Sequence, residues 1–287
     1  MIQDNRLKIL VCTHKEFSYK ENEFFLPIHV GKEISDVDLS YQGDNTGDNI
    51  SSKNKNYCEI TALYWAWKNL PDTKYIGLCH YRRYFLFNHQ SLTKIDRLPV
   101  LDFDEKFAAK INPNLEGIEG ILENYDIIIS NEKRIFFYLK DNYITDPVCL
   151  KSHFETVEEI ILNKYPEYRE SMEVVFKGHS LHHFNMFIMK TEQFSSYMDW
   201  LFGIFDECEK VIDLTGLNPV QARVYGFLSE RLLTLYVHHN NLKKHQVKVG
   251  FINPDHRLFK YFKSNNYYIN EMLYYCLNFL NKYVKKS

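Results

Sequence analysis

Residues 75–87, YIGLCHYRRYFLF, set a histidine and two adjacent arginines into an apolar run. A buried guanidinium is costly unless it is paired, so Arg82 and Arg83 require acidic protein partners or an anionic ligand. The planar fork of arginine grips two oxygens at once, which suits phosphate. His80, Arg82 and Arg83 are therefore candidates for neutralising a diphosphate, with a structural salt-bridge network as the alternative. Read as one strand over 74–87, the segment places His80 and Arg82 on one face and Tyr81 and Arg83 on the other.

Other residues could also do chemistry. Thr13, His14 and Lys15 end an apolar run, LKILVCTH, that reads as a central strand opening into a loop. The loop over 40–56 is rich in Gly, Asn, Asp and Ser and offers Asp44, Asp48, Asn49 and Asn54. It resembles a calcium loop only loosely, because correctly placed acidic ligands and a closing Glu are missing. Two D-x-D pairs occur, Asp36/Asp38 and Asp102/Asp104. Asp102 and Asp104 could share a metal that holds phosphates, although an Asp before a helical stretch also serves as an N-cap. His179, His182 and His183 lack the Cys or carboxylate partners of a zinc site. Arg223 and Glu230, seven apart, share a helix face. Glu230, among Phe227, Leu228, Leu232 and Leu233, reads as a partly buried carboxylate, either paired with Arg82 or Arg83 or tuned as a base.

These residues need elements to position them. The strands expected are 7–14, 24–31, 74–87, 125–130 and 182–190. The helices expected are 57–70, near 115–124, 157–165, 191–212 and 218–239. Asn56 and Glu59 read as a capping box for the helix over 57–70, and Pro219 lies near the start of the last helix. Strands alternating with helices predict an α/β fold with a mostly parallel central sheet. Ligands of such sheets bind beyond the carboxyl ends of the strands, where His14, the 40–56 loop and His80–Arg83 could meet.

Composition excludes several classes. With 45% hydrophobic and 25% charged residues, the 287-residue chain can bury a sizeable core. A net charge of −2 gives no basic signature for nucleic acid. The six cysteines show no C-x-x-C spacing and read as reduced core residues. No signal-peptide apolar region and no run long enough to span a bilayer occur, so the expected location is cytoplasmic. Phosphate-loop, dinucleotide, H-E-x-x-H and G-x-S-x-G signatures are absent.

The blocks GDNISSKNKNYCEITALYWAWKN, YIGLCHYRRYF, YDIIIS, NMFIMKTEQFSSYMDWLF and YGFLSERLLTLY resemble, in that order, a bacterial domain family. That family occurs in capsular polysaccharide and O-antigen gene clusters and is assigned to glycosyltransferases, some members resembling galactofuranosyltransferases. The resemblance covers roughly residues 7 to 250. It implies a GT-A-like nucleotide-sugar fold over 1–250. It also implies transfer of a hexosyl unit, galactofuranosyl as the best guess, from a UDP-sugar to a lipid-linked oligosaccharide. Thr13, His14 and Lys15 would border the nucleotide, and Asp44, Asp48, Asn49 and Asn54 would contact nucleotide or sugar. His182, His183, Asn185, Met186 and Arg223 would serve the substrate, and Glu230 would be the base. The strand that usually ends in a metal-binding D-x-D here runs into CHYRRYF instead. No metal is then required, because His80, Arg82 and Arg83 do its work. The rivals are an Mn- or Mg-dependent enzyme using Asp102 and Asp104, and a non-catalytic sugar-binding scaffold.

The segment 251–287 reads as a helical, basic and aromatic tail. From His256 onward it carries a net charge of +5, leaving −7 for the rest. Phe, Tyr and Leu mixed with lysines suit the interface of an anionic membrane, so the expected seat is the inner face of the cytoplasmic membrane.

Overall fold

The computed structural model describes residues 5–19, 22–88, 97–100, 102–146 and 149–253. The helical reading of the tail therefore lies almost wholly outside the described residues. The first half of the chain forms β1 (Leu7–Thr13), β2 (Phe25–His29), β3 (Gln42–Gly43), α1 (Asn54–Tyr57), α2 (Ile60–Asn69), β4 (Tyr75–His80), β5 (Arg83–Phe85) and β6 (Arg97–Val100). Then follow α3 (Glu105–Ile111), α4 (Leu115–Asn124), β7 (Ile127–Ser130), β8 (Lys133–Arg134), α5 (Leu139–Ile144), α6 (Lys151–Lys164) and α7 (Arg169–Phe176). The last elements are β9 (Ser180–Leu181), β10 (Phe187–Lys190), α8 (Thr191–Val211), α9 (Val224–His239), β11 (Lys244–Val247) and β12 (Val249–Ile252).

The fold is α/β with a mostly parallel central sheet, in the order β11-β7-β10-β4-β1-β2-β3. Strands β1 and β4 are buried along their whole length, because both faces of the sheet are covered. On one face α2, α6, α8 and α9 contribute Leu63, Phe154, Phe205 and Leu232 to a single apolar cluster. On the other, β5, β12, α3 and α4 contribute Phe85, Val249, Phe107 and Ile118. Gly77 sits where a Cβ would lie 2.8 Å from Ile188 Cγ1 and 3.1 Å from the Phe187 carbonyl, so β4 and β10 can approach only with glycine there.

Along this seven-strand order one strand runs against the rest. β10 pairs antiparallel with both β4 and β7. Its amino end therefore shares an edge with the carboxyl ends of β1, β4 and β7. This brings the turn before β10, residues 183–185, beside His80.

Four local expectations are corrected. The run over 182–190 is a strand only over Phe187–Lys190, because His183–Asn185 form a tight turn before it. The run over 74–87 is not one strand. It turns at Tyr81 and Arg82, and β5 folds back so that Arg83 pairs with His80. Directly opposed residues share a face, so His80 lies with Arg83 and not with Arg82. The cause is non-local: β5 finds its partner in β12, far along the chain. The helix over 57–70 is broken at Cys58, whose φ is 54°. Asn56 is not its cap, and its side chain donates to the Ala222 carbonyl at 2.8 Å. The last long helix begins at Val224 rather than at 218. At the end of the described chain, β12 pairs with β5 and β6 and carries the sheet past residue 250.

Candidate functional site

A cleft of ≈ 750 Å³ opens at the carboxyl ends of β1 and β4 and is walled by the segment around α1 and by the start of α9. Its polar lining includes Thr13, His14, Asn54, Lys55, Glu59, His80, Tyr81, Arg83 and Arg223. The cations His14 (when protonated), Lys55, Arg83 and Arg223 face a single carboxylate, Glu59. A smaller cleft of ≈ 420 Å³ between α4 and β11 has no comparable group of charges, only His245 and Lys248.

The turn before β10 organises the floor. Phe184 and Asn185 adopt φ of 76° and 52°, a left-handed conformation that non-glycine residues rarely hold. Four contacts hold this strained turn. The Phe184 carbonyl lies 2.7 Å from His80 Nε2. The Phe184 amide donates to Glu230 Oε1 at 2.8 Å. The Asn185 side-chain amide donates to Glu59 Oε1 at 2.7 Å and to Ser229 Oγ at 2.8 Å. The turn thus links β4, the residue preceding α2, and α9.

The two glutamates differ in what they reach. Glu59 follows the kink at Cys58, lines the cleft, and is pushed above the ordinary carboxylate pKa by burial. Glu230 is also raised by burial, opposed by the neighbouring Arg231. Its partners are the Phe184 amide and Arg231 Nη1 at 3.1 Å, not Arg82 or Arg83 as expected. It stands behind the turn, outside the lining of the cleft. Sequence reading missed Glu59 as a site residue. An acid between Tyr57–Cys58 and Ile60 was the available signal, and the capping-box reading absorbed it.

The arginines are separated by the hairpin. Arg83 lines the cleft, its guanidinium 4.4 Å from the Phe184 ring centroid and 5.4 Å from that of Phe251. Arg82 sits at the hairpin tip over Tyr81, 5.3 Å from its centroid. Arg223 Nε donates to Cys58 Sγ at 3.2 Å. His80 does not carry charge: burial, aided by Arg83, lowers its pKa to about 4. Because the Phe184 carbonyl can only accept, Nε2 bears the proton and Nδ1 is an acceptor. His80 positions the turn and the arginines supply the positive field. His14 is likewise held below its usual pKa by burial and by Lys15, Arg82 and Arg223. Lys15 Nζ lies 5.4 Å from the Tyr81 ring centroid at the rim. Thr13 shapes this loop, exchanging hydrogen bonds between its hydroxyl and the Lys15 backbone.

Several expected contacts are placed elsewhere. Asp44 is fully buried, and its carboxylate accepts from Gly31 N, Lys32 N, Ser51 Oγ and Thr61 Oγ1. It ties the loop to α2 and does not face the cleft. Asp48 is exposed and accepts from Tyr64 at 3.2 Å, and Asn49 closes its own turn onto Gly47 and Ser51. Asn54 lines the cleft but spends its amide on Cys58 O and Thr61 Oγ1. Met186 is fully buried in the core rather than facing an acceptor. His182 is buried, its Nδ1 2.8 Å from the Ser130 carbonyl, and its pKa is lowered to about 4. The His183 carbonyl accepts from Ser130 Oγ at 3.2 Å. Asp104 caps α3, accepting from Phe107 N at 2.7 Å, and neither it nor Asp102 lines the cleft. Among the described residues no group of three His, Cys, Asp or Glu side chains could hold a metal ion.

Residues 8–241 match the model of a family described as Domain of unknown function (DUF4422). No curated protein matches the chain. Among solved structures, an apo structure of the WbbM bifunctional glycosyltransferase superposes with a TM-score of 0.81 at 30% identity. The match covers 87% of this chain and 46% of that one, so the chain spans less than half the length of that protein.

Proposed function

The chain belongs to the DUF4422 family, and we propose that it is a glycosyltransferase that moves a hexosyl unit from a UDP-sugar to a lipid-linked oligosaccharide. Galactofuranosyl is the favoured unit, and capsule or O-antigen assembly the setting. One observation carries the reading: a cationic cleft at the carboxyl ends of β1 and β4 with one half-buried carboxylate in its wall, in a fold shared with a glycosyltransferase.

Arg83 and Arg223 bind the diphosphate of the donor. Charge that develops on the leaving diphosphate meets fixed guanidinium groups in a partly dry site, where such interactions are strongest. His14 and Lys15 border the nucleotide, and Arg82 adds to the field from the hairpin tip. Glu59, the carboxylate in the wall, takes the proton of the acceptor hydroxyl. Asn185 fixes the orientation of that carboxylate through its 2.7 Å hydrogen bond. Glu230, with Arg231, holds the turn that presents Asn185.

A divalent metal does not fit this donor set, which pairs one carboxylate with several cations. Asp102 and Asp104 lie outside the cleft. The reaction therefore runs on side-chain cations. No helix of the described residues is long and apolar enough to cross a membrane, and a seat on the membrane surface, with the tail 251–287 contributing, would bring the cleft to a lipid-linked acceptor.

Calorimetric titration with UDP in EDTA, then with manganese, tests the proposal. Binding in EDTA that is lost in Arg83→Ala is expected. Binding only with manganese would overturn the metal-free clamp, and no binding under either condition would favour a non-catalytic scaffold.

A further inference from the structure

The second cleft, of ≈ 420 Å³ between α4 and β11, is built differently from the first. Among the described residues no carboxylate lines it, and its lysine, Lys248, is 6% exposed and already engaged. It presents four carboxamides instead: Asn88, Asn114, Asn131 and Gln246. Backbone groups fix three of them. Asn88 Nδ2 donates to the Ala109 and Asn112 carbonyls at 3.1 and 3.0 Å. Asn114 Oδ1 accepts from the Glu116 amide at 3.1 Å, and Gln246 Oε1 from the Glu132 amide at 2.7 Å. A backbone amide only donates and a backbone carbonyl only accepts, so the unused half of each side chain is determined. Among the described residues, Asn88 Oδ1 is left as an acceptor, Asn114 Nδ2 and Gln246 Nε2 as donors, and the Asn131 amide as both.

Gly117 of α4 lines the same cleft. A Cβ at that position would meet nothing nearer than Asn114 Cβ at 3.8 Å, an ordinary contact. Packing within the protein therefore does not require glycine, which weakens a helix relative to alanine. Its effect is to leave the helix wall bare, so that a ligand can approach the backbone. A mixed set of fixed donors and acceptors suits a sugar, because each hydroxyl both donates and accepts. His245, held neutral by burial, adds one donor and one acceptor. The half-buried Phe87 and Ile121 supply apolar carbon for the C–H faces of a sugar ring. A phosphate offers only acceptors, and Asn88 Oδ1 would oppose it.

We infer that this cleft binds a neutral saccharide, at a site separate from the cationic cleft. Asn131 follows the carboxyl end of β7 and Val247 closes β11, so the site lies on the sheet edge that carries the first cleft. Strand β5 runs between the two. Arg83, its first residue, lines the cationic cleft, and Phe87 and Asn88, just past its other end, line this one. Four residues of extended chain span roughly 13 Å, the length of a few sugar units. The ligand is then the acceptor glycan behind its reacting end, an assignment that rests on the transfer reading, whereas saccharide binding itself does not.

The test is saturation-transfer NMR on the full chain with neutral di- and trisaccharides of galactose, glucose and mannose. At least one should receive saturation, and inorganic phosphate should not displace it. Gly117→Leu grows a side chain from the helix wall into the cleft and should weaken binding by about tenfold or more. Its thermal midpoint should hold or rise, because leucine favours a helix over glycine. The double variant Asn131→Ala/Gln246→Ala should weaken binding by about three- to tenfold, as for lost neutral hydrogen bonds. Both variants should keep the wild-type calorimetric response to UDP. Saccharide binding without any response to UDP would count against the transfer reading and for this one. No saturation of any saccharide, undiminished binding in folded Gly117→Leu, or displacement of the saccharide by UDP or phosphate would overturn the inference.

Discussion

Asn185 Nδ2 lies 2.7 Å from Glu59 Oε1, joining two residues 126 positions apart in the chain. The asparagine is fully buried and held at a φ of 52°. A left-handed backbone, which asparagine tolerates better than most residues, aims this side chain at a half-buried carboxylate in the cleft wall and fixes that carboxylate's orientation.

Glu59→Gln should separate stability from activity. Glu59 has a raised pKa in the folded state, so its favourable contribution is complete below the unfolded pKa and is lost as pH rises through the folded one. At neutral pH its partly desolvated charge is a net cost. Glutamine removes that cost and can still accept from Asn185. The thermal midpoint at pH 7 should hold or rise, while transfer falls by about 100-fold or more, as for loss of a general base. A midpoint several degrees lower, or activity retained, would count against the role.

Arg83→Ala should weaken UDP binding by about 10- to 100-fold, the loss expected for charge-assisted hydrogen bonds of about 1.5–3 kcal/mol. Arg82→Ala should cost less, because that side chain lies at the hairpin tip. Equal losses in calorimetry would mean that both arginines touch the diphosphate.

His14 couples the site to pH. Burial and nearby cations hold its pKa down in the free protein. A bound diphosphate would raise it, so binding takes up a proton between the free and bound pKa values. UDP affinity should therefore increase as pH falls through that window. The apparent enthalpy should vary with the buffer's ionisation enthalpy, and His14→Gln should abolish both effects.

Asp44→Ala should destabilise the fold without touching the cleft. Four donors, two of them backbone amides, would lose their acceptor. A cost of about 3 kcal/mol or more corresponds to a Tm lower by roughly 6–12 °C. Differential scanning calorimetry checks this. An unchanged Tm would show that water replaces the carboxylate at no cost.

Local pattern along the chain was enough to specify some of this protein. Continuous apolar runs marked β1, β4 and β7, and periodic ones marked α4 and α8 close to their ends. The adjacent arginines after β4 pointed to the cleft, because a guanidinium set in an apolar run must meet either an acid or an anionic ligand. Which groups meet in that cleft was settled by packing between distant segments. The split of Arg82 from Arg83 depends on β5 pairing with β12, and the exposure of Glu59 to the cleft on a kink at Cys58. The choice of Glu59 over Glu230 depends on an antiparallel β10 that brings the Phe184–Asn185 turn to the carboxyl edge of the sheet. These are contacts between residues far apart in the chain, and no local spacing encodes them. Burial, which neutralises His80 and raises Glu59, is likewise a property of the packed whole.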